Sequence, residues 1–239
     1  MAVLFFGVAL FWQGSAIAEQ AKLPTATCQT CHDAKQAKIE VPTADGEKRA
    51  LLAVDTVKYT TSVHAKMECV GCHKEITDNT APHQKAAGVA KAECAQCHLD
   101  LWEAAKKDNK TADKPRLGIV ADNVAAYQKS FHARENKDEP GKLNAICSDC
   151  HDVHNFDVPP RGTAERKEWH LAVPNICGKC HEDHLEDWTD SIHGKEATEN
   201  HNLKTAVCSD CHTTHDIGNS SSDKVKLSIT ATCCLPSAS

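Results

Sequence analysis

Six copies of the pattern C-x-x-C-H constrain this chain more strongly than any other feature of its sequence. Twelve of the 14 cysteines lie in these copies, and a histidine directly follows every pair. The copies are Cys28, Cys31 and His32; Cys69, Cys72 and His73; Cys94, Cys97 and His98; Cys147, Cys150 and His151; Cys177, Cys180 and His181; and Cys208, Cys211 and His212. A disulfide framework needs no histidine at a fixed offset, so these cysteines serve another purpose.

The spacing matches the attachment of c-type haem. Two thiols three positions apart reach the two vinyl groups on one edge of a porphyrin, and the next residue places its imidazole on the iron. Zinc half-sites and redox dithiols also use C-x-x-C, but neither requires the adjacent histidine that all six copies have. The sequence therefore predicts six covalently bound c-type haems, with these residues as their attachment points and proximal ligands.

Large aromatic side chains are scarce beyond residue 18. Seven remain: Tyr59, Trp102, Tyr127, Phe131, Phe156, Trp169 and Trp188. So few rings leave a chain of this length without a large core of its own, and six haems would supply the missing apolar mass. We expect a mostly α fold with much irregular loop, in which haems form the core.

A longer pattern repeats along the chain. The segments "YTTSVHA", "YQKSFHA" and "WTDSIHG" share aromatic-x-x-Ser-x-His-small, and each lies between two C-x-x-C-H copies. His132 and His193 are 61 residues apart, as are Cys147 and Cys208. Self-similarity at a fixed period indicates a repeated structural unit. We therefore divide the chain into three two-haem modules, residues 25–90, 91–160 and 174–218, with a linker at 161–173.

The same segments predict short helices. Aspartates stand upstream where N-caps are expected: Asp55, Asp122 and Asp183. Within each segment two apolar residues are four positions apart, which on a helix places them on one face: Tyr59/Val63, Tyr127/Phe131 and Trp188/Ile192. The stretch "LDLWEAAKKD" after Cys97 predicts a further helix, and strand signals are few.

Nine histidines beyond the six proximal ones are candidates for the second axial position. Three occupy one slot of the shared segment: His64, His132 and His193. His154 and His215 each stand three residues after a proximal histidine, and His83 completes two candidates per module. A histidine that close to its own proximal ligand does not easily reach the opposite face of the same haem. We therefore expect His154 and His215 to ligate a neighbouring haem.

Three histidines fall outside the repeat: His170, His184 and His201. His184 lies in C-H-x-x-H, as His154 does, and is the first substitute if another candidate is not a ligand. The alternative for any of the nine is an exposed side chain, or one that hydrogen-bonds a haem propionate.

The N-terminus predicts export. An apolar run from Ala2 to Trp12 precedes the small-x-small residues Ala16 to Ala18, which indicates a signal peptide at 1–18. The alternative, a membrane anchor, is disfavoured because the run is too short to span a bilayer comfortably. We expect a periplasmic protein with no membrane span in the mature chain, although an extracellular location is also open.

A sequence near the C-terminus repeats the start of the first motif. "TATC" opens the first motif and returns at 230–233, followed by Cys234, Leu235 and Pro236. Those residues can be encoded so that a reading frame one base along gives Ala-Ala-Cys-His. We hypothesise a truncated longer cytochrome with a frameshift inside a seventh motif, beginning a fourth module at 219–239. The alternative is a natural tail whose vicinal cysteines pair elsewhere or stay free.

The motifs resemble those of multihaem c-type cytochromes of the cytochrome c3-like group. The segment "SIHGKEATENHNLKTAVCSDCHTTH" is similar to the Ser-x-His-Gly and C-x-x-C-H-x-x-H units of large periplasmic and extracellular members. The resemblance implies an irregular, mostly helical fold and low-potential haems with two histidine ligands. It also implies a respiratory role, with electrons exchanged with partner proteins such as a membrane quinol-oxidising cytochrome.

These features predict an electron carrier for anaerobic respiration rather than an enzyme. An iron with two histidine ligands has no open position for substrate, and a formal charge of −6 suits basic redox partners and disfavours nucleic acid. One alternative is a multihaem oxidoreductase acting on nitrogen or sulfur compounds at a five-coordinate haem. However, no motif ends in the lysine that marks such a haem in pentahaem nitrite reductases. A second alternative is a subunit of an extracellular haem filament.

Overall fold

The computed structural model describes residues 23–35, 39–42, 46–50, 53–80, 83, 93–156 and 158–218. The predicted signal peptide at 1–18 and the C-terminal segment at 219–239 lie outside the described residues.

Short helices joined by irregular loops make up most of this structure, which confirms the predicted helical class. The helices are α1 Thr25–His32, α2 Thr56–Thr61, α3 Cys69–Cys72, α4 Cys94–Lys107, α5 Pro115–Tyr127, α6 Cys147–Cys150, α7 Ala164–Leu171, α8 Val173–Cys177, α9 Glu182–Asp190, α10 Ile192–Thr198 and α11 Cys208–His212. Two three-residue strands, β1 Glu40–Pro42 and β2 Lys48–Ala50, pair antiparallel.

The C-x-x-C-H copies coincide with helical turns. Four of the helices begin at the first cysteine of a motif: α3, α4, α6 and α11. In the two C-S-D-C-H motifs the aspartate closes the turn: Asp149 accepts the N–H of Ile146 and Asp210 that of Val207, each at 2.8 Å. Such a carboxylate satisfies a backbone donor that the start of a helix leaves free.

The longest helices, α4 and α5, pack against each other. Ala105 and Ala121 are buried, and a Cβ on Gly118 would lie 3.0 Å from the Trp102 ring. The helix predicted after Cys97 is therefore present as α4. Asp122 lies inside α5 and caps nothing, because Pro115 already begins this helix seven residues earlier.

The other predicted caps have mixed outcomes. Asp55 caps α2 and accepts the N–H of Lys58 at 3.1 Å. Asp183 is the second residue of α9, and its N-cap position belongs to His181.

The prediction that each apolar pair shares one helical face was wrong. The helices end before the second member: α2 at Thr61, α5 at Tyr127 and α9 at Asp190. At each break the serine N–H bonds to the carbonyl of the aromatic residue three positions back, which closes a tight turn there. These N···O distances are 3.0 Å from Ser62 to Tyr59, 2.8 Å from Ser130 to Tyr127 and 3.0 Å from Ser191 to Trp188.

The range predicted as a linker, 161–173, contains helix α7. Thr163 caps this helix by accepting the N–H of Arg166 at 3.1 Å. Two side chains of α7 contact the third module: His170 lies 2.9 Å from Asp210, and Glu168 lies 3.0 Å from His201.

The polypeptide buries few large side chains. Among the described residues the buried apolar set is Tyr59, Val70, Ala105, Ala121, Val173, Pro174, Ala197 and Val207. Valine, alanine and proline dominate this set, so the described chain does not form a large hydrophobic core by itself. None of the described helices is both long and apolar enough to cross a membrane.

Candidate haem-binding sites

Histidine rings face each other in pairs across the described structure. In five pairs, one member is the histidine of a C-x-x-C-H motif and the other is a predicted distal ligand. The centroid separations are 6.2 Å for His32/His83, 6.0 Å for His98/His64, 6.3 Å for His73/His154, 6.2 Å for His181/His132 and 6.0 Å for His151/His215. All five separations fall within a range of 0.3 Å.

The common separation fits a metal ion held between two imidazoles. A metal–nitrogen bond is about 2.0 Å long and the nitrogen lies about 1.1 Å from its ring centre, so imidazoles on opposite sides of one ion have centroids about 6.2 Å apart. The neighbouring motif cysteines carry no disulfide and remain free to form thioethers. The donor set, its spacing and the free thiols therefore fit a covalently attached haem at each pair.

The five pairs fall into two classes by the angle between ring planes. The rings are near parallel in three pairs: 16° for His32/His83, 17° for His73/His154 and 25° for His151/His215. They are tilted in the two others: 46° for His98/His64 and 40° for His181/His132. The tilted pairs both join the first motif of a module to the shared segment of the module before it.

Four of the five pairs cross a boundary between modules. At the first boundary His64 reaches forward to His98, and His154 reaches back to His73. At the second boundary His132 reaches forward to His181, and His215 reaches back to His151. Each boundary therefore exchanges one histidine in each direction. His154 and His215 each face a motif histidine of the preceding module rather than their own. Their predicted role as ligands of a neighbouring haem stays a prediction.

A backbone hydrogen bond accompanies each exchange. The N–H of Val63, one residue before His64, donates to the carbonyl of Phe156 at 3.1 Å. At the second boundary the N–H of Phe131 donates to the carbonyl of Ile217 at 2.7 Å. The acceptors Phe156 and Ile217 each stand two residues after a histidine that faces the preceding module, His154 and His215 respectively. We call this set of two ring pairs and one backbone bond a junction.

The aromatic residue of each shared segment anchors the motif that follows. Its polar atom donates to the carbonyl two residues before that motif's first cysteine. The bonds run from Tyr59 Oη to Met67 at 2.6 Å, from Tyr127 Oη to Ala145 at 2.7 Å and from Trp188 Nε1 to Ala206 at 3.3 Å. Sequence reasoning missed this role, because the acceptors are backbone atoms of residues with no common side-chain chemistry.

The thiols of the first cysteines of the two motifs in each module interact with each other: Cys28 with Cys69, Cys94 with Cys147 and Cys177 with Cys208. The neighbouring Cys147 thiol lowers the pKa of Cys94 to about 6, and the neighbouring Cys177 thiol lowers the pKa of Cys208 to about 7. The neighbouring Cys94 thiol and burial raise the pKa of Cys147.

Cysteines also approach each other across the module boundaries. Burial and the charges of Cys94 and Cys97 raise the pKa of Cys72, and burial, Asp149 and Cys180 raise that of Cys150. The six motifs therefore form a series in which each one neighbours the next in chain order.

Burial holds several paired histidines in the neutral form. It lowers the pKa of His98, His132, His151, His154 and His215, and a facing imidazole lowers it further in the first four. The neutral ring is the form that binds a metal ion. At these positions both the lowered pKa and the facing ring therefore suit an imidazole that binds a metal ion.

Five histidines lie outside these five pairs. His170 Nε2 lies 2.9 Å from Asp210 and His201 Nε2 lies 3.0 Å from Glu168, so both engage carboxylates. His184 lies 6.1 Å from His181 by ring centroid with the ring planes 20° apart, so it matches the geometry of the five pairs and is a second neighbour of that motif histidine. Among the described residues His193 and His212 face no other ring.

The chain was compared with known families and structures. No family model, curated protein or solved structure matches it.

Proposed function

We propose that the protein is an electron-transfer protein that binds six c-type haems and relays electrons along them. Haem iron with two imidazole ligands accepts and returns single electrons without binding a substrate. At five of the six motifs the chain places a second histidine opposite the motif histidine, and the order of the motifs along the chain gives the order of the sites.

The observation that carries this proposal is the spacing of the histidine pairs. Five motif histidines each face a second histidine at 6.0–6.3 Å, which fits one metal ion between the rings and leaves no space for a substrate. Both ligands come from the chain, so these sites favour electron exchange over catalysis on a bound molecule.

The arrangement of the motifs supports a relay. Cysteine contacts within modules, such as Cys94 with Cys147, alternate with approaches across boundaries, such as Cys150 with Cys180. The six sites therefore follow each other in sequence order, and an electron that enters at one end has a neighbouring site at each step.

The small number of large buried side chains is consistent with haems that form the core. Tyr59 is the largest buried aromatic residue, while Ile119 and Phe131 are among the exposed apolar side chains. Porphyrin surfaces between the helices would cover apolar groups that the polypeptide leaves open.

The electrostatic character suggests the class of partner. A formal charge of −6, to which haem propionates add, favours docking on basic surfaces of redox proteins. Together with the predicted signal peptide, this supports a periplasmic carrier between a membrane quinol-oxidising cytochrome and a terminal acceptor.

The test is to produce the full chain in a host that attaches c-type haem. We expect mass spectrometry to find six covalent haems, and a reductive titration to take up six electrons per chain. The purified protein should exchange electrons rapidly with a small redox dye and should not turn over nitrite, hydroxylamine or sulfite. Fewer than six thioether-linked haems, or steady turnover of one of those substrates, would overturn the proposal.

A further inference from the structure

One face of the third module carries the same groups that the first and second modules use in their junctions, namely His193, His212 and the N–H of Ile192. In the described structure these groups have no partners from a following module. His193 occupies the position of His64 and His132, and His212 occupies the position of His73 and His151. In both junctions those positions are paired with the next module. In the third module both side chains are exposed, and neither meets another ring within the described part of the chain.

A backbone donor on this face also lacks the partner that its equivalents have. Val63 and Phe131 donate their N–H groups to the following module, and Ile192 is their equivalent. No described residue accepts the N–H of Ile192. Its side chain is 70% exposed, compared with 44% for Val63 and 37% for Phe131. Three independent parts of a junction, two rings and one backbone donor, are therefore present on one face without their counterparts.

We infer that this face is a ligand-exchange interface for a further two-haem module that ends in C-x-x-C-H-x-x-H. The inference rests on the proposed function. His193 ligates the first haem of the incoming module, and the last histidine of that module ligates the haem held by Cys208, Cys211 and His212. The backbone carbonyl two residues beyond that last histidine accepts the N–H of Ile192, as Phe156 and Ile217 do for the earlier modules.

The required motif excludes the first module of a second copy as the occupant. That module has Ile76, not histidine, three residues after His73, and its His32 already faces His83. A head-to-tail copy would therefore bring no histidine to His212 and no free haem face to His193. The partner chemistry is that of the second and third modules, which both carry the terminal histidine.

The first part of the test uses the full chain with its haems attached. We expect one of the six ferric haems to be high-spin by electron paramagnetic resonance, and added imidazole to convert it to low-spin. Six covalent haems that are all low-spin would overturn this inference while leaving the proposed function intact. Failure to attach six haems would instead overturn the proposed function.

The second part supplies the missing module. In an extended chain, a second copy of residues 158–218 replaces residues 219–239, which continues the 61-residue repeat. We expect eight covalent haems and still one high-spin haem, because the new terminal haem takes over the open position. His193→Ala should add one high-spin haem in the extended chain and none in the original chain.

His132→Ala is the matched control, because His132 already faces His181. It should add one high-spin haem in both chains, which shows that the assay detects the loss of a distal ligand. The inference is overturned if His193→Ala adds a high-spin haem in the original chain, or adds none in the extended chain. It is also overturned if the high-spin signal disappears as the original protein is concentrated, because two copies would then be pairing through this face.

Discussion

The imidazoles of His73 and His154 lie parallel to within 17° with centroids 6.3 Å apart, although they belong to different modules. His154 comes from the end of the second module and faces the last motif histidine of the first. The counterpart in the next module, His215, faces His151 at 6.0 Å. The histidines that we propose as haem ligands therefore also make contacts between modules.

This relationship predicts that one distal substitution affects a haem in another module. His154→Ala should leave all six haems attached and convert one low-spin haem to high-spin. The unmodified chain is expected to bind cyanide only at the open haem of Cys208 and Cys211. Peptide mapping of the additional cyanide-binding haem should identify the motif of Cys69 and Cys72, in the first module. His201→Ala is the matched control, because His201 engages Glu168 and faces no motif histidine, and it should leave the haem spectrum unchanged. Cyanide on the haem of Cys147 and Cys150 would contradict the prediction.

The two classes of ring angle predict two classes of low-spin iron. The angle between axial imidazole planes sets how strongly the iron d orbitals split, because each ring interacts with the orbital perpendicular to its plane. Electron paramagnetic resonance of the ferric protein should therefore resolve a near-parallel group of three haems and a tilted group of two. His64→Ala should remove intensity from the tilted group, and His83→Ala from the near-parallel group. A single uniform low-spin signal would contradict the assignment.

Local spacing explains which parts of the site the sequence predicts. The attachment residues and the choice of distal candidates follow from short patterns such as C-x-x-C-H-x-x-H. The partner of each distal histidine does not follow, because His64 could face either haem of its own module by sequence distance alone. Only the fold shows that it reaches His98 in the next one.

The helix boundaries show a similar limit. The four-residue spacing of Tyr127 and Phe131 predicts a continuous helix, yet α5 ends at Tyr127. The N–H of Ser130 bonds to the carbonyl of Tyr127, and the N–H of Phe131 is drawn away to Ile217 in the next module. Tertiary hydrogen bonding thus overrides the local periodicity.

His181 has two neighbours, and the repeat predicts which of them is the ligand. His132 lies 6.2 Å away and His184 lies 6.1 Å away by ring centroid. His132 stands in the same relation to His181 as His64 does to His98, whereas His184 is only three residues from His181 and has no counterpart after His32 or His98. His132→Ala should therefore give one high-spin haem more than the unmodified chain has, and His184→Ala should give no additional one. The reverse result would assign the iron to His184.

The aromatic anchors predict a measurable contribution to stability. Tyr127→Phe removes only the hydroxyl that donates to Ala145, and leaves that carbonyl without its partner. The free energy of unfolding of the haem-loaded protein in guanidinium should fall by about 1 kcal/mol, the usual value for one such bond. Haem number and spin state should not change, because no ligand is removed. Tyr59→Phe should cost at least as much, since that hydroxyl lies 2.6 Å from the carbonyl of Met67 and 3.2 Å from that of His64. Tyr127→Phe with unchanged stability would show that the hydroxyl does not hold the motif in place.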